Sequence, residues 1–267
     1  MNKFINTKQY KQFAEFCKAC YRDKYIGLCY GPAGAGKTEA AKYYTKLDKA
    51  KRYVDQIYYK TDPIVSKFAF AKLNSILYTP SSLDLSKNVI RDIEELQRKF
   101  NWAKERHLYP EAIPDSVRLE NKNFAELVLI DEAERLKPQS FELLREMYDK
   151  GKTNFIFIGM PGIERILERY PQLYSRIGFV HQFKNLGKEE VLFILQKHLG
   201  KLNTEINESD FCSHEVISSI VMITNGNFRL INRLIKQSLR IMKVNCMTTI
   251  TKEIVDAARS CLLIGEK

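Results

Sequence analysis

Short apolar runs alternate along the chain with longer segments in which apolar residues recur at helical spacing. The apolar runs are predicted to be strands, and they cover residues 25–30, 56–60, 127–131, 154–159 and 178–183. The amphipathic segments are predicted to be helices: an opening helix around residues 13–21, then residues 36–46, 65–77, 87–107, 138–150, 189–199, 214–223, 228–243 and 252–263. Because strands and helices alternate as far as residue 185 and only helices follow, we predict an α/β domain over residues 1–185 and a helical domain over residues 186–267.

The composition is that of a folded protein with a basic surface. Hydrophobic residues make up 45% of the 267 residues and charged residues 28%, which excludes a disordered or collagen-like chain. Lys and Arg number 43 against 32 Asp and Glu, and the excess is concentrated in residues 1–60. A net charge of +11 suits a polyanion such as nucleic acid or nucleotide phosphate, and a solvated lysine face explains the same charge.

The expected cellular location and the redox state of the cysteines follow from the absence of membrane-spanning and signal-peptide patterns in the sequence. No apolar run approaches the roughly 18–20 residues needed to cross a bilayer, and residues 1–13 have no apolar core of a signal peptide. We therefore expect a cytoplasmic protein without membrane contact, whose six Cys stay reduced. Cys17 and Cys20 form a C-x-x-C pair, but no second pair at metal-ligand spacing follows, so we expect them to pack one face of the opening helix.

The strongest chemical signal is a phosphate-binding loop between the first predicted strand and the helix after it. The loop fits G-x-x-x-x-G-K-[ST] at every position, with Gly31, Pro32, Ala33, Gly34, Ala35, Gly36, Lys37 and Thr38. Its glycines let successive backbone N–H groups curl round a phosphate, and the helix N-terminus adds a positive dipole end. Lys37 is predicted to reach the β- and γ-phosphates of ATP, and the Thr38 hydroxyl is predicted to bind Mg²⁺.

Two acids directly follow the apolar run at residues 127–130, in the Walker B pattern. Asp131 is predicted to hold the Mg²⁺ shell, and Glu132 is predicted to polarise the attacking water. This pairing indicates ATP hydrolysis rather than transfer onto a small acceptor. The alternative is a helix N-terminus that the two acids merely stabilise.

With these motifs in place, the chain resembles the AAA+ ATPases, and most closely the TniB, TnsC and MuB group of transposition regulators. The resemblance covers nearly the whole chain and is carried by residues 25–38, 129–136, 158–162, 169–180 and 226–233. It implies an α/β AAA+ P-loop NTPase fold, with a five-stranded parallel sheet flanked by helices and a C-terminal all-helical lid.

The resemblance also implies roles for two arginines. Arg176 occupies the position of the arginine finger, which reaches the γ-phosphate held by a neighbouring subunit and is worth about 10³–10⁵ in rate. Arg169 is the second choice for that role, and an ordinary surface ion pair is the alternative for Arg176. Arg229 matches the sensor 2 arginine and would contact the nucleotide, with Arg233 as its competitor and a solvent-facing arginine as the alternative. Met160 departs from the family, because many members carry a polar sensor 1 residue there.

The implied function is an ATPase that oligomerises as a ring or filament on duplex DNA, with little sequence preference, and directs a transposase to target sites. The expected phosphate contacts lie between the second and third strands: Lys67, Lys72, Lys87, Arg91, Arg98, Lys99, Lys104 and Arg106. One rival is a replication initiator or helicase loader, which usually carries a further DNA-binding domain after the lid. A second rival is an NTP-driven switch in defence or signalling that binds protein and no DNA.

Overall fold

The protein is described by a computed structural model, which covers residues 4–59, 70–81, 86–108, 124–151, 153–199 and 211–262. The strands are β1 (Ile26–Tyr30), β2 (Ser75–Tyr78), β3 (Leu127–Ile130), β4 (Asn154–Gly159) and β5 (Ile177–Gln182). The helices of the first part are α1 (Lys8–Asp23), α2 (Lys37–Tyr44), α3 (Leu47–Tyr59), α4 (Ser86–Leu108), α5 (Pro138–Asp149), α6 (Ile163–Leu167) and α7 (Pro171–Tyr174). They are followed by α8 (Lys188–Leu199), α9 (Phe211–Thr224), α10 (Phe228–Val244) and α11 (Lys252–Ser260).

In the described part of the chain, the strands form one five-stranded sheet in the order β2-β3-β4-β1-β5, and every pairing is parallel. Every residue of β3 and β4 is buried, as expected of strands covered on both faces by helices. Because the strands are parallel, their carboxyl ends meet at one edge of the sheet. Gly31 after β1, Asp131 after β3 and Met160 after β4 all follow such ends.

The second predicted strand is wrong. Residues 56–59 belong to the end of α3, in which Ala50 and Val54 are buried four residues apart and Tyr53 packs against the same core. The short aromatic run was misleading because the helical period only shows over the longer window. The true β2 is the fully buried Ser75–Tyr78, in a region predicted to be the end of a helix, and residues 60–69 lie outside the described residues.

Helix α1 lies very close to β1 at Gly27. A Cβ atom built on Gly27 would lie 2.6 Å from Cys20 Sγ, 2.8 Å from Phe16 Cζ and 3.1 Å from Ile156 Cγ1. Cys17 and Cys20 are fully buried on this face of the helix, which confirms that the pair packs in the core. Glycine is thus required at position 27 by close approach rather than by backbone conformation.

By contacts, the chain divides into two compact units. One comprises Gln12–Gly31 and Lys37–Gln182, which hold the sheet, and its core includes Val128, Phe155 and Phe157. The other comprises Met1–Lys11, Pro32–Gly36 and Phe183–Lys267. In this helical unit, α8 to α11 pack around a separate core. None of the described helices has the length and apolar character required to cross a membrane.

Candidate nucleotide-binding site

The loop between β1 and α2 has the backbone that a phosphate-binding loop needs. Gly34 and Gly36 have φ values of 76° and 104°, in the left-handed region that favours glycine. Backbone N–H groups in such a turn can converge on one anion, and α2 begins immediately after it at Lys37. The predicted strand–loop–helix context of the motif is therefore present.

The Lys37 side chain is buried at the end of this loop. Its ammonium donates a hydrogen bond to the Gly31 carbonyl at 2.6 Å, and it lies 3.8 Å from the Met160 sulfur. A cation that bonds a backbone carbonyl can exchange that acceptor for a charged phosphate oxygen, which makes a stronger hydrogen bond. Lys37 is therefore placed at the loop where the prediction needs it.

Thr38 and Asp131 meet beside Lys37. Asp131 is buried directly after β3, and its carboxylate accepts a hydrogen bond from the Thr38 hydroxyl. Burial raises the pKa of Asp131 above its ordinary value, while that hydrogen bond and the charge of Lys37 oppose the rise. A hydroxyl beside a buried carboxylate is an oxygen donor set that fits Mg²⁺, which favours a few protein oxygens and keeps the rest of its shell for water and phosphate.

Glu132 is held in an unusual backbone conformation. Its φ and ψ are 52° and 43°, and its carboxylate forms an ion pair with Arg135 at 2.7 Å. The Glu132 side chain is 40% exposed, so the pair is open to solvent. An exposed pair of this kind is weak and can be exchanged for another partner.

Sequence reasoning missed Glu134. Its carboxylate accepts a hydrogen bond from the Met160 backbone N–H at 3.3 Å, at the end of β4. A Cβ on Gly159 would lie 2.7 Å from the same carboxylate, so the strand end and the acid fit closely. The sequence did contain an indication of its role, because Glu134 is the third acid in the Asp-Glu-Ala-Glu run after β3. Glu134 therefore supplies a polar group next to Met160, the residue at which the sequence departs from the family that it resembles.

Arg176 is engaged in an ion pair, which is the alternative that the sequence left open. Its Nε and one terminal nitrogen donate to the two carboxylate oxygens of Asp149, at 2.6 and 2.8 Å, and it also bonds the Gln172 carbonyl. Asp149 accepts a further bond from Arg145 at 2.8 Å. The Arg176 guanidinium holds the pKa of Asp149 below its ordinary value. Arg169 is exposed.

Arg229 lies in the first turn of α10, within the helical unit. Asn227 precedes the helix as its N-cap, and its side-chain oxygen accepts from the backbone N–H groups of Arg229 and Leu230. The Arg229 N–H also donates to the Gly34 carbonyl at 3.1 Å. The side chains of Arg229 and Arg233 are both exposed.

Lys104 is wrong as a DNA contact. Its side chain is buried, its ammonium donates to the Leu73 carbonyl, and it lies 5.3 Å from the centre of the Phe124 ring. The periodicity of α4 placed it among polar positions, but the long aliphatic stem covers the core instead. Lys72 precedes β2 and so lies outside the expected segment between strands two and three.

The other expected DNA contacts differ in how far the structure describes them. Lys99 pairs with Glu95 at 2.8 Å, whereas Arg91 and Arg98 are exposed on α4. The remaining positions lie outside the residues whose side chains are described: Lys67, Lys87 and Arg106. Within the described ranges, no cluster of three or more His, Cys, Asp or Glu side chains could hold a metal ion.

Comparison with known sequences places this geometry in context. Residues 20–167 match the family described as AAA domain. A Staphylococcus aureus protein named "Potential ATP-binding protein" is 40% identical over 270 residues, which span 98% of this chain and 97% of that protein.

Solved structures share the fold. A variant of Thermotoga maritima RuvB matches with a TM-score of 0.60 and 17% identity, over 98% of this chain and 71% of its own. Another RuvB structure, described as a Holliday junction branch migration motor, gives a TM-score of 0.57 at 17% identity over 98% and 71% of the two chains. Aeropyrum pernix ORC2 in its ADPNP–ADP complexes gives 0.56 at 14% identity, over 97% and 70%. At these identities the likeness is one of fold.

Proposed function

The chain belongs to the AAA domain family, and from this premise we propose that it is an ATPase that oligomerises on duplex DNA and directs a transposase to target sites. Its five-stranded parallel sheet, flanking helices and helical C-terminal region form an AAA+ P-loop NTPase fold, so the predicted fold class is confirmed. The narrower placement in the TniB, TnsC and MuB group is part of the proposal.

One observation carries the proposed ATPase activity. The buried Lys37 ammonium, which bonds the Gly31 carbonyl after β1, and the Thr38–Asp131 pair lie together at the carboxyl ends of β1 and β3. In open parallel sheets, ligands bind outside these strand ends. Lys37 would bind the β- and γ-phosphates, and Thr38 and Asp131 would hold Mg²⁺, which would supply positive charge against those phosphates.

Hydrolysis in this site proceeds by attack of water on the γ-phosphorus. The water oxygen forms the new P–O bond, the bond from the γ-phosphorus to the bridging oxygen breaks, and ADP and phosphate result. Glu132, whose carboxylate pairs with Arg135 through one oxygen, accepts the proton from water. Arg176 of a neighbouring subunit stabilises the charge on the phosphoryl group, which requires it to leave Asp149.

The DNA part of the proposal rests on charge and on the fold neighbours. The chain carries a net charge of +11, and Arg91 and Arg98 are exposed seven residues apart on α4. RuvB is described as acting on Holliday junctions and shares the fold. Contacts from exposed arginines to phosphates are nearly independent of sequence.

Binding of a random-sequence duplex, measured by fluorescence anisotropy across a salt series, tests the proposal. We expect tight binding with ATP, weak binding with ADP, and a fall of log K with log[salt] at a slope of about −0.9 per phosphate neutralised. The Lys37→Ala variant is the control, because it should not respond to ATP. Absence of binding at low salt would favour the protein-only switch, and binding that ignores the nucleotide would contradict ATP-driven assembly.

A second experiment tests the transposase. We expect an integrase-type transposase encoded beside this gene to be retained on immobilised duplex DNA only when this protein and ATP are present. Retention without this protein, or equal retention with ADP, would contradict the proposed role.

A further inference from the structure

Asn227 makes hydrogen bonds in two directions. Its side-chain oxygen accepts from the backbone N–H of Arg229 at 3.1 Å and of Leu230 at 3.2 Å, which caps the N-terminus of α10. Its side-chain nitrogen donates to the Ala33 carbonyl, inside the phosphate-binding loop, at 2.7 Å. One amide group therefore joins the loop to the first turn of the helix, and all these residues belong to the helical unit.

The loop needs donors at this place for a physical reason. Where consecutive N–H groups turn inward toward a phosphate, the carbonyls between them turn outward and must find partners elsewhere. Asn227 supplies the donor for the Ala33 carbonyl, and the Arg229 N–H supplies one for the Gly34 carbonyl at 3.1 Å. The outward face of the loop is thus satisfied by α10.

The fit between the loop and Asn227 is close. A Cβ atom on Gly34 would lie 2.5 Å from the Asn227 side-chain oxygen and 2.9 Å from its nitrogen. Any side chain at position 34 would therefore displace Asn227, in addition to the strain of a positive φ. The conformation of the loop and the position of the Asn227 side chain therefore restrict each other.

Asn227 itself is anchored at the start of α10. The two residues before it, Asn225 and Gly226, both have positive φ values, of 47° and 69°, and the Gly226 carbonyl accepts from the Leu186 N–H at 2.8 Å. Beyond the cap, α10 buries Ile231 and Leu234 in the core of the helical unit. The bonds from Asn227 and Arg229 to the loop carbonyls therefore come from a helix that is anchored in this core.

We propose that Asn227 is a positioning residue for the nucleotide: its side-chain amide holds Ala33 and Gly34 in the phosphate-binding conformation and makes the first turn of α10 respond to phosphate. This inference rests on the proposed ATPase function. Because linkage is reciprocal, a loop that orders α10 when phosphate binds must bind phosphate more tightly when α10 holds it. Arg229 is the residue that the sequence resemblance singled out, whereas the amide two residues earlier contacts the loop through its side chain.

The Asn227→Ser variant separates this role from helix capping. Serine caps a helix about as well as asparagine, but its shorter side chain lacks the amide donor that reaches Ala33. The matched control is Asn245→Ser at the other end of α10, because the Asn245 side-chain nitrogen also donates to a backbone carbonyl, that of Ile241 at 3.1 Å.

Calorimetric titration with ATP and with ADP is the first readout. We expect Asn227→Ser to bind both nucleotides about tenfold more weakly, which corresponds to about 1.4 kcal/mol. Its melting temperature without nucleotide should stay close to that of the wild type. Asn245→Ser should keep wild-type affinities for both nucleotides.

Hydrogen exchange at the Arg229 and Leu230 amides is the second readout. We expect saturating ADP to slow exchange there in the wild type and in Asn245→Ser, but not in Asn227→Ser. Wild-type affinities together with wild-type protection in Asn227→Ser would overturn this inference and leave the proposed function standing. A wild-type protein that binds neither nucleotide would overturn the proposed function and the inference together.

Discussion

In the proposed ATPase, the Lys37 ammonium and the Glu132 carboxylate would serve different steps, and each is bonded to a neighbouring residue. Lys37 bonds the Gly31 carbonyl, and Glu132 pairs with Arg135. Under the proposal, phosphate would replace the first partner when ATP binds, and water would have to reach Glu132 for ATP to be cleaved. Changing each residue by itself therefore separates binding from turnover.

We expect Lys37→Ala to lose nucleotide binding and Glu132→Gln to retain ATP without hydrolysing it. The alanine removes the charge that binds the phosphates, whereas the amide keeps the shape of the acid but cannot accept a proton from water. ATPase assays and filter retention of labelled ATP measure the two effects. Glu142→Gln is the control, because Glu142 pairs with Arg145 three residues later, at the same spacing as Glu132 and Arg135. Unchanged turnover in Glu132→Gln would remove that residue from its role.

The bidentate pair with Asp149 restrains Arg176. Because the pKa of Asp149 is lowered by its partner, the pair is fully formed above the ordinary carboxyl pKa and is lost only as pH falls through the lowered value. It persists at every pH near neutrality, so a change of pH in that range cannot free the arginine. Release must come from competition or from substitution.

We expect Asp149→Asn to raise ATP hydrolysis at limiting protein concentration, because Arg176 then loses its ion pair and keeps only the weaker bond to the Gln172 carbonyl. Arg176→Ala should bind ATP and fail to hydrolyse it. Steady-state ATPase rates over a protein concentration series check both variants. Glu142→Gln is again the control, since it removes the other partner of Arg145 and leaves Arg176 paired. A rate that is lower in Asp149→Asn than in the wild type would contradict the restraint.

At the scale of single residues, the sequence predicted the site residues that belong to contiguous motifs. The loop glycines, Lys37, Thr38 and Asp131 stand in contiguous motifs, and the structure brings the last three together. The bond from Asn227 to Ala33 joins residues far apart in the sequence, and so does the pair of Arg176 with Asp149. No local pattern indicates such partners, because only tertiary packing brings them within reach.

At the scale of elements, the contact of α1 with β1 depends on the missing side chain of Gly27. We expect Gly27→Ala to destabilise the protein by about 1–3 kcal/mol, because the new methyl group overpacks a site closed by Cys20 and Phe16. Urea unfolding measures the change. Gly187→Ala is the control, since a Cβ there meets nothing within 4 Å. Equal midpoints for the two variants would show that α1 can move away from the sheet at little cost.

Helix α4 is the element on which the proposed DNA contacts can be tested. We expect Arg91→Ala and Arg98→Ala each to reduce the magnitude of the salt slope of DNA binding by about one per subunit, because each removes one phosphate contact. Arg22→Ala is a matched control, because Arg22 and Arg91 are both exposed and each pairs with the aspartate that follows it. Binding across a salt series checks the slopes. Unchanged slopes in both α4 variants would place the DNA surface elsewhere.

The elements that the sequence predicted correctly have long or strongly apolar patterns. The strands β3 and β4 and the helix α4 belong to this class, since β3 and β4 are buried throughout and α4 keeps its apolar stripe for many turns. The four residues of β2 are too few to show a period, and the aromatic end of α3 imitates a strand. Residues 75–78 form a strand because they pair with β3, and the sequence around them gives no sign of that pairing.

At the scale of the whole molecule, the proposal requires that one subunit supply an arginine to the site of another. We expect Arg176→Ala and Lys37→Ala, each inactive alone, to recover part of the ATPase activity when mixed. One variant keeps an intact nucleotide site and the other keeps an intact arginine, so mixed neighbours rebuild a complete site. ATPase rates at several mixing ratios measure the recovery, with co-assembly checked by light scattering. Mixtures that co-assemble and stay inactive would show that the arginine assignment is wrong.

The strand order also has a consequence during protein synthesis. β1 is made early, yet its neighbours in the sheet are β4 and β5, which come from much later in the chain. Until the chain has left the ribosome as far as Gln182, β1 therefore lacks one of its two neighbouring strands. The loop after β1 then follows a strand that is not yet fully paired. Parallel pairing between such distant segments is intrinsically slow. We therefore expect the nucleotide-binding loop to reach its final conformation only after translation has passed the last strand.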